Sequence, residues 1–316
     1  MAFSVGTLAA YTKENEALLV ASSVLGSKTA SLIKDKGNVM VGVKSAETIN
    51  IMDTDAIFQD GSSCGFTASG TTSFTQRTVT VGKIKVNEAL CLKDLEAKYL
   101  QKALPAGSSY DSMVYSEEYS KRKSEKIAEQ LEKTLWQGST ASVDVNLNKF
   151  QGITTLITAA GGSVVNANTV GNHGVVETAI TDANVVSIFD DIYKAIPAQV
   201  VDKDDISIFC GMDVFRTYTV KLKNSNLYHY QYDAKANGEF YLPGTNVKVI
   251  AVQGLNGSGK IVAARISNFF IGTDLLNEEE RFEIFYAKEA DQVRFVSEFK
   301  MGVNFAFPDE IVKFFV

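Results

Sequence analysis

From Ser112 to Gly138 the chain reads SMVYSEEYSKRKSEKIAEQLEKTLWQG, with no proline, no internal glycine, charges of both signs interspersed, and Ile127, Leu131 and Leu135 recurring four apart. This spacing predicts one long helix. Its 27 residues would span about 40 Å, the width of a compact domain of this size. The first half, where Tyr115 and Tyr119 are the main ring-bearing residues, is too polar to be buried all round. An apolar stripe concentrated at one end predicts a strut whose open face is left for other surfaces to cover.

Around this strut the pattern changes several times. Residues 1–34 predict one or two short helices, with Leu18, Leu19, Leu25, Leu32 and Ile33 too thinly spread to build a core, and so an arm that packs on other surfaces. Between Asn38 and Val86 the runs NVMVGV, ETINIMDTDAIF and SFTQRTVTVGKIKV are rich in β-branched residues and predict strands. The last two flank QDGSSCGFTASGTT, a small, polar, glycine-bearing tip, which makes a long hairpin. A two-stranded ribbon is marginally stable alone, so it must find a surface to lie on. LCLKDLEAKYLQKAL, residues 90–104, predicts a short helix closed by Pro105-Ala106-Gly107; residues 139–174 read as strand fragments and loops.

A second body follows. Thr181 or Asp182 is placed to cap a helix whose Val185, Ile188, Phe189, Ile192 and Ile196 share one face and which Pro197 ends. ISIFCG reads as a buried strand, MDVFRTYTVKLKN as a helix, and NVKVIAV, KIVAARI and NFFIGTD as successive strands joined by turns. Helices on a small sheet thus describe residues 175–275, with Tyr228, Tyr230 and Tyr232 alternating on one side of an extended linker. The final forty residues are almost all strand, through Phe282, Ile284, Tyr286, then Val293, Phe295, Ser297, Phe299, then 303–307 and 311–316.

Composition narrows the function classes. With 316 residues, 45% hydrophobic and 22% charged, the chain holds one large domain or two ordinary ones and needs no staple. A net charge of −6, with no basic run longer than Lys121, Arg122, Lys123, argues against tight nucleic-acid binding. Cys64, Cys91 and Cys210 form no Cys-x-x-Cys pair, against both a disulfide framework and a zinc site and in keeping with a reducing cytosol. The N-terminus lacks the pattern of a signal peptide, and no stretch approaches 18 apolar residues, so neither secretion nor a membrane is expected.

Candidate chemistry is sparse. Gly61-Ser62-Ser63-Cys64-Gly65 fits Gly-x-Ser-x-Gly, yet that elbow needs a helix directly after it, and FTASGTTSFTQ is a poor one. Gly254 to Lys260 fits Gly-x-x-x-x-Gly-Lys, but position 261 is Ile where a hydroxyl must bind magnesium, and IVAARI is a strand; two strands joined by a turn explain every residue. His173, between Asn172 and Gly174, reads as a turn residue, and Asp53-x-Asp55 lacks the rest of a calcium loop. We expect no enzyme activity, no cofactor and no metal. The three linker tyrosines read as a loop or subunit contact, since no basic groove accompanies them for stacking bases.

Residues 292–312, QVRFVSEFKMGVNFAFPDEIV, resemble the C-terminal strands of tailed-phage major capsid proteins with the Hong Kong 97 fold. TVTVGKIKVNEALCLKDLE, residues 78–96, followed by a long helix ending Glu132-Lys133-Thr134-Leu135-Trp136-Gln137-Gly138, resembles the same family. The resemblance implies an α+β fold with residues 1–46 as N-terminal arm, 47–88 as extended hairpin loop, and 89–174 as peripheral domain carrying the spine helix 112–138. It makes 175–284 the axial domain and 285–316 strands returning to the peripheral domain.

It further implies a structural, self-assembling shell of hexamers and pentamers around double-stranded DNA, made in the bacterial cytoplasm and located in the virion capsid. A portal and possibly a decoration protein are then partners. With about 46 residues ahead of the hairpin there is no room for a fused scaffolding segment, so a separate scaffolding protein is expected. Phe58, Phe66, Phe74 and Arg77 of the hairpin, Tyr115, Tyr119 and Arg122 of the helix, and the three linker tyrosines are the expected subunit contacts. The alternatives are an encapsulin-like compartment and, from another class, a nucleotide-binding or hydrolytic enzyme.

Overall fold

The computed structural model describes residues 15–61, 64–66, 68–91, 112–225, 238–274, 281–290 and 292–316. Helices α1 (Glu16–Leu25) and α2 (Lys28–Asp35) come first, then strand β1 (Val39–Val41). Strands β2 (Ala46–Thr54), β3 (Thr72–Thr80) and β4 (Gly82–Cys91) follow, and the long helix is α3 (Ser112–Gln137). Next come α4 (Ile153–Ala160), β5 (Val165–Asn166), the single turn α5 (Val170–His173), α6 (Val185–Ala195) and α7 (Ala198–Val201). Strand β6 (Ile206–Gly211) leads into α8 (Met212–Asn224), then β7 (Glu239–Tyr241), β8 (Lys248–Val252) and β9 (Lys260–Arg265). The chain ends in β10 (Phe269–Thr273), β11 (Arg281–Ala287), β12 (Gln292–Phe305) and β13 (Val312–Phe315).

Strand β12 organises the first sheet. Along one side it pairs antiparallel with β11 and then β10, and along the other with β4; β1 extends the β10 edge in parallel. Strict alternation places Val293, Phe295, Phe299 and Met301 in one core with Ile127, Leu131, Leu135 and Trp136 of α3, and with Leu19, Val24 and Ile33 of α1 and α2. Each such large side chain contributes about 1.5–3 kcal/mol by leaving water. The predicted arm helices are therefore part of this core from Glu16 onward.

The second sheet runs β5-β13-β9-β6-β8-β7. One face carries α6 and α8, whose Val185, Ile188, Phe189, Ile192 and Tyr218 pack on Ile208, Val249, Ile261 and Phe314. The other face gives Phe209, Ile250 and Val262 to the α3 core. Trp136 is fully buried where the sheets meet, 5.2 Å from the Phe209 ring and 6.3 Å from that of Phe269.

A polar contact ties the first elements to the strut. Glu132, buried on α3, accepts a hydrogen bond from the backbone N–H of Thr29 at 3.0 Å and another from its hydroxyl. A buried carboxylate needs such donors, because leaving it unpaired costs several kcal/mol.

Four expectations are corrected. The strand expected to continue to Val86 within the hairpin breaks at Val81, and β4 leaves the ribbon to pair with β12 over residues 82–91. The break sits at a close crossing: a Cβ on Gly82 would lie 2.1 Å from the Lys149 carbonyl, and one on Gly302 would lie 2.2 Å from that of Thr80. The helix expected from residue 90 is strand at 90 and 91, and its remainder lies outside the described residues. Strands β8 and β9 are not neighbours across a turn but flank β6, parallel to one and antiparallel to the other. Finally, β13 does not return to the long-helix body: Val312 and Phe314 alternate inward in the second sheet. One boundary is also finer than expected, for α6 starts at Val185 with Asn184 bonded to Thr181, not at Thr181 or Asp182.

Candidate subunit interface

Strands β2 and β3 form a nine-pair antiparallel ribbon, from Ala46 opposite Thr80 to Thr54 opposite Thr72. Only its base is packed. Ile49, Ile51 and Val79 make a small cluster with Ala306, against Met40 and Phe270. Arg77 lies over the Phe305 ring at 4.3 Å, where burial pushes its guanidinium pKa down. Asn304 donates to the Thr78 carbonyl at 2.7 Å.

Beyond the base the ribbon stands in solvent. Phe58 is 99% exposed, Phe66 94% and Phe74 75%, with Ile57 and Met52 also exposed and Met52 directly opposite Phe74. The neck of the tip is held by Asp55, whose Oδ1 accepts from the Thr71 N–H at 2.5 Å. Scattered single exposed apolar residues are ordinary, whereas five large ones on one ribbon make it markedly more apolar than a typical exposed segment.

The helix residues divide differently. Tyr119 turns toward its own sheet, donating to Glu88 of β4 at 2.8 Å and standing edge-on to Phe295 at 5.9 Å. Lys123 joins it on Glu88. Burial alone would raise the Glu88 pKa, but the hydrogen bonds from Lys123 and Tyr119 outweigh it and hold the carboxyl below its ordinary value. Tyr119 thus already has partners in its own chain, and the structure does not bring it together with the ribbon aromatics. Arg122 is on the open side, paired with Glu118 at 2.6 Å, beside exposed Lys121, Glu125 and Lys126. The side chain of Tyr115, and all of Tyr228, Tyr230 and Tyr232, lie outside the described residues.

Sequence reasoning missed a second exposed apolar feature. After α3 the loop 139–148 is closed by Ser139 N–H to Leu147 C=O at 2.8 Å and by Asp144 Oδ1 receiving Asn146 N–H at 2.9 Å, and it presents Val143 fully to solvent. Val-Asp-Val reads as strand by period, and only the small polar residues around it hint at a loop.

Among the described residues, the chemical candidates lack the surroundings that their motifs require. Lys260 enters β9 directly, with its Nζ 5.2 Å from the Phe315 ring and burial lowering its pKa. No helix N-terminus follows it, as a phosphate loop requires. Ser63 lies outside the described residues. Cys210 is buried and its thiol pKa is pushed up by desolvation, the reverse of a reactive thiolate. Among the described residues no group of three or more His, Cys, Asp or Glu side chains is placed to hold a metal, and no helix is long and apolar enough to cross a membrane. A notch of about 290 Å³ opens between α3, the α1–α2 turn and the second sheet, lined by Lys28, Glu125, Glu129 and Met212 among others.

No family model matches the sequence, and no curated protein is similar to it. The fold, however, is similar to solved shells. A chain of the satellite phage P4 procapsid, a structure that includes the size determination protein Sid, superposes with a TM-score of 0.64 at 9% identity, covering 96% of this chain and 90% of that one. The capsid of the native GTA particle gives 0.57 at 15% identity over 92% and 91%. The capsid of Myoviridae phage XM1 gives 0.50 at 14% over 90% and 91%. Nearly the whole of each chain is matched, so the likeness covers both sheets, the long helix and the ribbon together: the fold of this chain is that of the tailed-phage major capsid proteins.

Proposed function

We propose that this chain is a structural shell subunit, a major capsid protein that self-assembles into a closed head around double-stranded DNA, and that it is not an enzyme. The observation that carries this reading is a ribbon packed only at its base, with Phe58, Phe66 and Phe74 in solvent, on a fold matched end to end by capsid chains. In a lone subunit these side chains are a liability; when copies tile a shell each finds a neighbour. Hexamers and pentamers give such repeated contacts, with the ribbon overlapping an adjacent subunit and the second sheet turned toward the capsomer centre. A separate scaffolding protein, a portal and a decoration protein are the further partners of this reading. The net charge of −6 suits an inner wall that does not hold DNA tightly during packaging and release.

Sedimentation and electron microscopy of the purified chain test the proposal. Capsomers or shells support it, and a compact monomer at high concentration counts against it. Shells that form unaided and enclose a co-expressed cargo protein in place of DNA would identify a compartment of the encapsulin kind.

A further inference from the structure

One buried titratable group sits among the helices and strands of the second sheet. His173 closes α5 with its side chain only 4% exposed, its Nδ1 2.7 Å from Asp191 Oδ2 of α6 and its Nε2 3.5 Å from Glu177 Oε1 in the following loop. The ring stands edge-on to Phe314 of β13, centroids 5.5 Å apart. Asp191 also receives Lys194 at 2.8 Å. These elements otherwise meet through few polar groups, chiefly Asn168, which donates to the Glu177 and Phe315 carbonyls at 2.9 and 2.7 Å.

A carboxylate only accepts hydrogen bonds, so each ring nitrogen facing one must carry a proton to be satisfied. Both contacts are therefore made at once only by the doubly protonated ring. A neutral ring turns a lone pair toward one carboxylate, and in a buried site that mismatch is not screened by water. We propose that His173 is a proton-operated latch that fastens the loop after α5 to α6 and β13, closed while the imidazolium bridges Asp191 and Glu177 and released on the Glu177 side when the ring gives up a proton.

The groups that face the ring are Asp191 from α6, with Lys194 and Asp190 behind it, Glu177 from the loop, and the uncharged Phe314 from β13. Burial would raise the Asp191 pKa, but hydrogen bonds from Lys194 and His173 outweigh it and hold the carboxyl below its ordinary value. Its share of the latch is therefore present above the ordinary carboxylate range and is lost as the pH falls through its lowered value. The share of the ring follows from geometry: with a carboxylate facing each nitrogen, both contacts last only while both nitrogens carry protons. Because the backbone of Glu177 is anchored separately by Asn168, release loosens residues 174–177 without detaching them.

Hydrogen exchange of the full-length chain, followed by mass spectrometry and corrected for the intrinsic pH dependence of exchange, tests this. Protection of the peptide spanning 174–177 should be about 3-fold higher near pH 5.5 than near pH 8, the size expected of a partly exposed ion pair. Glu177→Gln, whose amide can donate to or accept from Nε2, should make the two values equal, while His229→Gln should leave the difference intact. Equal protection at both pH values in the parent chain, or an undiminished difference in Glu177→Gln, would overturn the latch.

Discussion

The indole N–H of Trp136 donates to the hydroxyl of Thr29 at 2.8 Å, and that same hydroxyl donates to the carboxylate of Glu132 one turn back on the long helix. Three buried polar groups from two distant segments thus satisfy one another at the junction of both sheets. Thr29→Val would orphan the indole N–H and one carboxylate contact. It should cost about 1–3 kcal/mol in urea unfolding of the unassembled subunit, while Thr29→Ser should recover most of the loss. Equal stability of the valine variant would mean that water replaces the hydroxyl.

Phe58→Ser combined with Phe66→Ser changes side chains that touch almost nothing in the subunit. The melting temperature should stay within a degree or two, since exposed substitutions seldom exceed about 0.5 kcal/mol, whereas particle yield by sedimentation should fall steeply. Normal particles would move the shell contact away from the ribbon tip.

Glu88 carries the pH-dependent prediction. Its folded pKa is depressed, so the contact with Tyr119 and Lys123 adds stability that is complete above the carboxylate range and is lost as the pH falls through the folded value. Thermal melts between about pH 6 and pH 3 should show a shallower acid decline in Glu88→Gln than in the parent chain. Parallel curves would show that another carboxylate governs the acid limb.

Gly302→Ala places a methyl group against the Thr80 carbonyl where the ribbon base crosses β12. Backbone cannot yield there as a side-chain tip could, so the change should cost about 1–3 kcal/mol and should loosen the ribbon before the rest. Proteolysis within residues 46–80 would rise first; unaltered resistance would mean that the crossing opens without cost.

The elements that sequence made legible are those whose signal is local. The stripe Ile127, Leu131, Leu135 defined α3 to within one residue, and Val185, Ile188, Phe189 and Ile192 are all buried as their spacing requires. The same stripe also carried information about Lys123 and Tyr119, which lie four and eight positions further back on it, and both face the sheet. The expectation of a subunit contact at Tyr119 rested on the polarity of this half of the helix and not on that periodicity. What was illegible is non-local. Nothing within GLNGSGK says that β6 separates the strands on either side, and nothing in VKFF says which sheet will receive it, because those choices are made by residues more than forty positions away. Exposure at the ribbon tip was partly legible, since aromatic residues among glycine and serine have no local partners. The contacts of His173 were not, as Glu177 and Asp191 carry no pattern.

The position of β12 and β13 near the end of the sequence governs when this molecule becomes competent. The first sheet is strung on β12 and the second has β13 between β5 and β9, so each joins partners made much earlier, β4 some 200 residues before β12. Contacts so distant in sequence make for slow folding and long-lived open edges. The ribbon rests on Phe305 and Ala306 of that same late region. A chain still being translated therefore lacks the main support of its ribbon, and the strand pair takes a fixed direction only after both sheets have closed behind it.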